Sequence, residues 1–241
     1  MRLFAVSCCV LAIFCVAAFA VPITQPTSLN PGDQYRLAFV TSTIRDATSS
    51  NIDDYNAFVT ATANAVPELA ALLTTWKAIA STSSVDARVN TDTVPTFAGG
   101  SLGVPIFLLN DTKLVDSNDD LWDGSVDLLL SIDETGEVCL CDVFVWTGSA
   151  VDGRGSGYNS VLGNQLGFLP VSTAGTWTNV DFWVLLDNAT DPSVMKRSLY
   201  GLSDPLTVPS GVVPEPSTLL LLAVGICFVC GIGIRQRKKA V

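Results

Sequence analysis

No histidine occurs anywhere in the 241 residues. That absence removes Ser-His-Asp and Cys-His catalysis in their usual forms, and every imidazole zinc site with them. Cysteine is scarce where it could staple a fold. Five of the seven, Cys8, Cys9, Cys15, Cys227 and Cys230, sit in hydrophobic runs near the chain ends, where they act as small apolar residues. Only Cys139 and Cys141 remain, so a disulfide framework is excluded and a core must hold the domain. On a strand this C-x-C pair would point to one face, ~7 Å apart, and a bridge between the two would need a local bend. Two thiols without a second pair do not close a tetrahedral metal site. Bases are few as well: residues 21–213 hold eight against 22 acids, near −14 in formal charge. Such a segment has no electrostatic attraction for nucleic acid or anionic lipid. Divalent cations or basic surfaces remain as partners, and solubility alone accounts for the same balance.

Both chain ends are apolar. Met1-Arg2 is a short basic start, Leu3 to Val16 is apolar, and Ala18-Phe19-Ala20 is an A-x-A cleavage site. The pattern predicts a signal peptide over residues 1–20, cut after Ala20, with an uncleaved anchor as the weaker alternative. At the other end, Val213-Pro214-Glu215-Pro216 precedes an uncharged run from Ser217 to Ile234. As a helix this run reaches roughly 27 Å, at the short end for crossing a bilayer. Arg235, Arg237, Lys238 and Lys239 follow and would stay on the cytoplasmic side. A rigid Pro-Glu-Pro, a membrane helix and a basic tail in this order resemble the PEP-CTERM sorting signal of bacterial exported proteins. The resemblance implies recognition by an exosortase, a membrane enzyme thought to cut near the motif and release or re-attach the protein. It also implies association with exopolysaccharide and biofilm. A plain membrane anchor is the alternative.

Between these ends the chain has the length of one domain. Residues 21–34 read as a lead-in, 35–207 as the domain and 208–216 as a linker carrying the Pro-Glu-Pro. Tyr35 to Ser42 alternates as a strand does, with Tyr35, Leu37 and Phe39 on one face. Asn51 offers a helix cap, Asp53 and Asp54 suit the first turn, and Ile52, Tyr55, Phe58, Val59 and Thr62 recur at helical spacing. Pro67 starts a second short helix through Leu73. Trp76 to Ala80 reads as a strand and residues 81–103 as a loop. Val104–Leu109 and Lys113–Val115 form a hairpin around Asn110-Asp111. An acidic turn, a strand over Val138–Trp146, a glycine-rich loop through Gly163 and a last strand at Leu199–Leu202 complete the series.

The helix with Tyr55-Asn-Ala-Phe58, then Trp76-Lys-Ala-Ile79, Val104-Pro-Ile106, Leu121-Trp122 and Val145-Trp-Thr-Gly-Ser149 running into Asp152-Gly-Arg154 resemble the endostatin domain, a variant of the C-type lectin-like fold. The resemblance implies an α+β, C-type lectin-like single domain over residues 35–207. The histidine zinc site of that family cannot be carried over to a chain without histidine. Its disulfides are missing too, and neither sugar-binding motif of calcium-dependent lectins is present. The matched residues are structural ones.

Candidate chemistry is therefore thin. Asp116, Asn118, Asp120 and Asp123 place oxygen ligands at near-alternate positions, as calcium loops do. The glycine falls late and no glutamate closes the loop, so a solvated acidic turn held by local hydrogen bonds stands beside that reading. Asp119, Asp120, Asp133 and Glu134 could supply paired carboxylates for glycoside hydrolysis, but nothing sets two of them across a cleft. Gly153-Arg154-Gly155 lacks the Lys-Ser/Thr of a phosphate loop. The reading is an exported surface or matrix protein without catalytic residues. It would bind or build, with exosortase as processing partner, exopolysaccharide or another surface protein as ligand, and no nucleic acid. No cofactor is expected beyond the candidate calcium. A carboxylate- or metal-dependent hydrolase and a plain membrane-anchored adhesin are the alternatives.

Overall fold

The computed structural model describes residues 21–140, 144–156, 161–163, 171–176 and 190–210, with side chains throughout except at 171–176 and 190–192. Its elements run β1 (Gln34–Val40), α1 (Ile52–Asn64), α2 (Pro67–Ala70), β2 (Trp76–Ala78), α3 (Ala87–Asn90), a 3₁₀ turn (Thr96–Ala98), β3 (Ile106–Leu108), β4 (Lys113–Val115), α4 (Asn118–Leu121), β5 (Phe144–Trp146), β6 (Val171–Thr176), β7 (Thr190–Pro192), β8 (Tyr200–Ser203) and β9 (Leu206–Thr207). Helices and sheets in one mixed arrangement make the class α+β, as expected.

The chain divides into two units. The first comprises Met1–Leu29 and Gln34–Leu206, the second Asn30–Asp33 and Thr207–Val241. In the first, five strands lie in the order β2-β8-β1-β3-β4. β1 runs parallel to β3, with Leu37 opposite Phe107, and antiparallel to β8, with Phe39 opposite Gly201. β2 pairs with the other edge of β8, Trp76 opposite Ser203, and β3–β4 is the expected hairpin. A separate sheet joins β5, β6 and β7 in antiparallel pairs.

The alternation predicted for β1 is not what burial shows. Every residue from Tyr35 to Val40 is buried. A central strand covered on both faces has no solvent side, so even Arg36 lies inside. Its guanidinium donates to the carbonyls of Thr91 (2.6 Å), Asp92 (3.2 Å) and Ser203 (3.4 Å), which satisfies the buried cation. Burial still pulls its pKa below the usual arginine value.

α1 begins where the cap predicts. Asn51 Oδ1 accepts from the Asp53 amide at 3.1 Å, and Ile52, Tyr55, Val59, Thr62 and Ala63 form the buried stripe. It docks on β2 through Thr60 Oγ1 donating to Trp76 O (2.9 Å) and Asn56 Oδ1 accepting from Ala78 N (2.9 Å). Trp76 is fully buried, edge-on to Phe39 with ring centroids 5.2 Å apart. Gly201 lies where a Cβ would stand 2.7 Å from both the Phe39 ring and Val59 Cγ1, so only glycine lets α1 approach the sheet there.

Four expectations change. α2 ends at Ala70, and Leu73 turns outward with a φ of 51°. The supposed loop 81–103 holds α3 and the 3₁₀ turn, and the acidic turn is itself helical as α4. Among the described residues of the predicted 138–146 strand, Phe144–Trp146 forms a strand and 138–140 does not, while 141–143 lie outside the described residues. Small residues and acids hid α3 and α4, because their helicity comes from packing and caps rather than apolar periodicity.

In the second unit, Asn30–Asp33 forms a tight turn. Asp33 N donates to Asn30 O at 3.0 Å, Gly32 N to Val208 O at 3.0 Å and Val208 N to Asp33 O at 2.9 Å. Among the described residues no helix is long and apolar enough to cross a membrane. The predicted signal peptide (1–20) and membrane helix (217–234) lie outside them.

Candidate functional site

The acidic turn is shaped by its first residues. Ser117 caps α4, its Oγ accepting from Asp120 N at 3.2 Å. Asp120 Oδ2 accepts from Asp116 N at 2.6 Å, folding the aspartates back on each other. One carboxylate oxygen from each of Asp116, Asp120 and Asp127 lies within 4.8 Å of the others. Lys113 enters from β4, its Nζ 2.5 Å from Asp116 Oδ1. That hydrogen bond raises the ammonium pKa, so the lysine stays charged beside the cluster.

The four residues proposed from spacing are thus divided. Asp116 and Asp120 converge. Asn118 is only 3% exposed and faces elsewhere: its Nδ2 donates to Ser101 O at 3.0 Å, while its own amide donates to Leu102 O at 2.6 Å. Asp123 Oδ1 accepts from Ser125 N at 3.1 Å. Asp127 takes the third place. It lies beyond the Leu121-Trp122 pair, outside any alternate-residue pattern, and only the turn after buried Trp122 returns it. The arrangement offers oxygen ligands suited to a hard divalent cation, with an ammonium already neutralising one of them.

The other carboxylates considered for hydrolysis, Asp119, Asp133 and Glu134, are engaged in hydrogen bonds. Asp119 accepts from Thr96 N (2.6 Å) and Thr96 Oγ1 (2.5 Å), fixing the 3₁₀ turn. Asp133 Oδ1 caps the next turn through Thr135 N (2.9 Å) and Thr135 Oγ1 (2.6 Å). Glu134 is buried and accepts from the amide and hydroxyl of Ser42. Asp133 binds within its own turn, the use that turns make of acids, whereas Asp119 and Glu134 tie together segments distant in sequence.

The glycine-rich loop is braced rather than open. Gly153, with a φ of 75°, lies where a Cβ would stand 2.8 Å from the Trp122 ring. Gly155 N donates to Asp86 Oδ1 at 2.8 Å, and Arg154 Nε reaches Asp152 Oδ2 at 2.6 Å. Beneath it Ser81 Oγ meets Ser149 Oγ at 2.8 Å and accepts from Ala87 N at 2.8 Å. These buried hydroxyls tie α3 to the end of β5, a joint that the sequence did not signal. Cys139 is disulfide-bonded, and every other cysteine, Cys141 included, lies outside the described residues.

Among the described residues no cleft gathers an acid, a base and a nucleophile, and the strongest functional signal is in the tail. Residues 212–238 match the model of the PEP-CTERM protein-sorting motif. The chain carries a PEP-CTERM signal. No curated protein matches it. The matched stretch takes in Val213, Pro214, Glu215, Pro216, Arg235, Arg237 and Lys238, with Lys239 next in line; all lie outside the described residues. A PEP-CTERM motif is the recognition signal for exosortase processing, and it marks an exported protein sorted to the cell surface.

Proposed function

We propose that this PEP-CTERM protein is a non-enzymatic surface or matrix component, whose exported domain binds or builds within exopolysaccharide. The tail motif carries the reading, because it commits the chain to export and processing. A signal peptide over residues 1–20 starts export, the helix 217–234 holds the chain in the membrane, and exosortase acts near Pro214-Glu215-Pro216.

The domain would be C-type lectin-like, of endostatin type. In its favour, the residues that carry the likeness lie in the core: Tyr55, Trp76, Ile106, Trp122, Val145 and Trp146 are all buried. The antiparallel β1–β8 pair also joins an early strand to a late one. The lack of histidine and the structural hydrogen bonds that engage Asp119, Asp133 and Glu134 favour binding over hydrolysis. Calcium at Asp116, Asp120 and Asp127 is not needed for this role.

The test is the intact mass of the protein from cells with and without exosortase, together with its retention on matrix polysaccharide. A mass running from Val21 to near Pro216, lost without exosortase, and retention on the polysaccharide are expected. A mass that keeps Arg235–Val241 in both strains would make the protein a plain membrane-anchored adhesin. Hydrolysis of the polysaccharide would overturn the non-enzymatic role.

A further inference from the structure

A groove of 380 Å³ opens beside the end of α1, lined by Ala65, Val66, Pro67 and Glu68 on one side and Thr135 and Glu137 on the other, with Val21 and Pro22 between. Among the described residues its lining holds two acids, Glu68 and Glu137, both exposed, and no base. α1 adds to the imbalance, because its last turn has no basic residue while its terminal carbonyls carry partial negative charge. This charge balance favours a cation.

The chain itself arrives there. Pro22 is buried, and Gly136, with a φ of 85°, lies so close that a Cβ would stand 2.9 Å from Pro22 Cα. Ile23 N donates to Leu109 O at 2.7 Å, and Tyr35 Oη donates to Thr24 O at 2.7 Å. Thr27 fixes the next stretch through its amide and hydroxyl on Asp111. The lead-in is therefore packed from its second residue onward, and Val21 is held at the groove wall.

We propose that the α-ammonium group left on Val21 by removal of residues 1–20 settles in this groove against Glu68, Glu137 and the C-terminal end of α1. The proposal rests on the signal-peptide reading above. Before cleavage the same nitrogen is an uncharged amide. Afterwards it is the cation that the groove lacks, so maturation completes the electrostatics of the fold. Among the described residues no other titratable side chain lines the groove.

The experiment uses the exported protein after its first residue has been read by mass spectrometry. Pyridoxal-phosphate transamination replaces the α-ammonium by a ketone and spares lysine. It should lower the melting midpoint by about 1–3 °C, the scale of one partly exposed charge interaction in a domain of this size. In the isosteric Glu68→Gln/Glu137→Gln variant the same treatment should leave the midpoint unchanged. An equal drop in both proteins, or none in the unsubstituted one, overturns the proposal. A first residue other than Val21 overturns the cleavage site instead, and the proposal with it.

Discussion

Arg45 and Arg197 face each other across an antiparallel bridge and exchange both backbone hydrogen bonds, each at 2.9 Å. Like charges placed directly opposite repel. Here the guanidinium groups are drawn to different aromatic pairs. That of Arg45 lies 4.2 Å from the Tyr55 ring centre and 5.8 Å from that of Phe58. That of Arg197 lies 4.7 Å from Phe144 and 5.6 Å from Trp146. The bridge thereby links α1 to β5 through two stacked cations.

Arg197→Ala should cost about 2 kcal/mol of unfolding free energy, and Arg45→Ala about 1 kcal/mol, since Arg197 is buried and Arg45 only half-buried. Denaturant melts of both single variants and the double variant measure it. Because the residues are paired, their effects should not add.

Gly153→Ala combines a left-handed backbone with a Cβ placed against the Trp122 ring. A loss of about 2–3 kcal/mol is expected, with a changed near-ultraviolet dichroism signal as Trp122 shifts. Gly32→Ala has open space around it and should cost only its backbone strain, about 1 kcal/mol.

Millimolar calcium should move the melting midpoint by no more than about 1 °C, because Lys113 already neutralises Asp116. Lys113→Met frees that carboxylate, and the same calcium should then raise the midpoint by about 2 °C or more. No response in the variant would make the aspartate cluster a solvated turn.

Acid should weaken the loop at Asp152. Burial acts to raise its pKa, but hydrogen bonds from Arg154 and that guanidinium's charge outweigh it and hold the carboxyl below the usual range. A folded pKa below the unfolded value of ~3.9 gives stability that is present above that pH and lost as pH falls through the folded value. Asp46 acts in the same direction, held down first by its hydrogen bond from Thr48. Asp152→Asn should remove this contribution, so that the variant loses stability less steeply than the native protein as pH falls below about 4.

The elements legible in the sequence were those with a local cause. Asn51 announced α1, Pro67 announced α2, and Asn110-Asp111 announced the β3–β4 hairpin, each through backbone chemistry confined to a few residues. α3, α4 and the Ser81–Ser149 joint depend on partners distant in sequence, and no window contains them. The same holds for the acidic site. Spacing suggested Asn118 and Asp123, but Asn118 binds the Ser101 carbonyl, Asp123 accepts from the Ser125 amide, and the turn after Trp122 supplied Asp127. The sorting motif in the tail was legible, because such a signal is carried by a linear string rather than by a fold.

β1 pairs with β8, joining residues 38–40 to residues 200–202. A chain exported from its N-terminus cannot close this sheet until almost all of the domain has crossed. Only the short stretch between Leu202 and the sorting motif at 212–238 then separates the closing sheet from the signal. An exosortase acting on that motif would meet a passenger whose last core strand has only just become available for pairing.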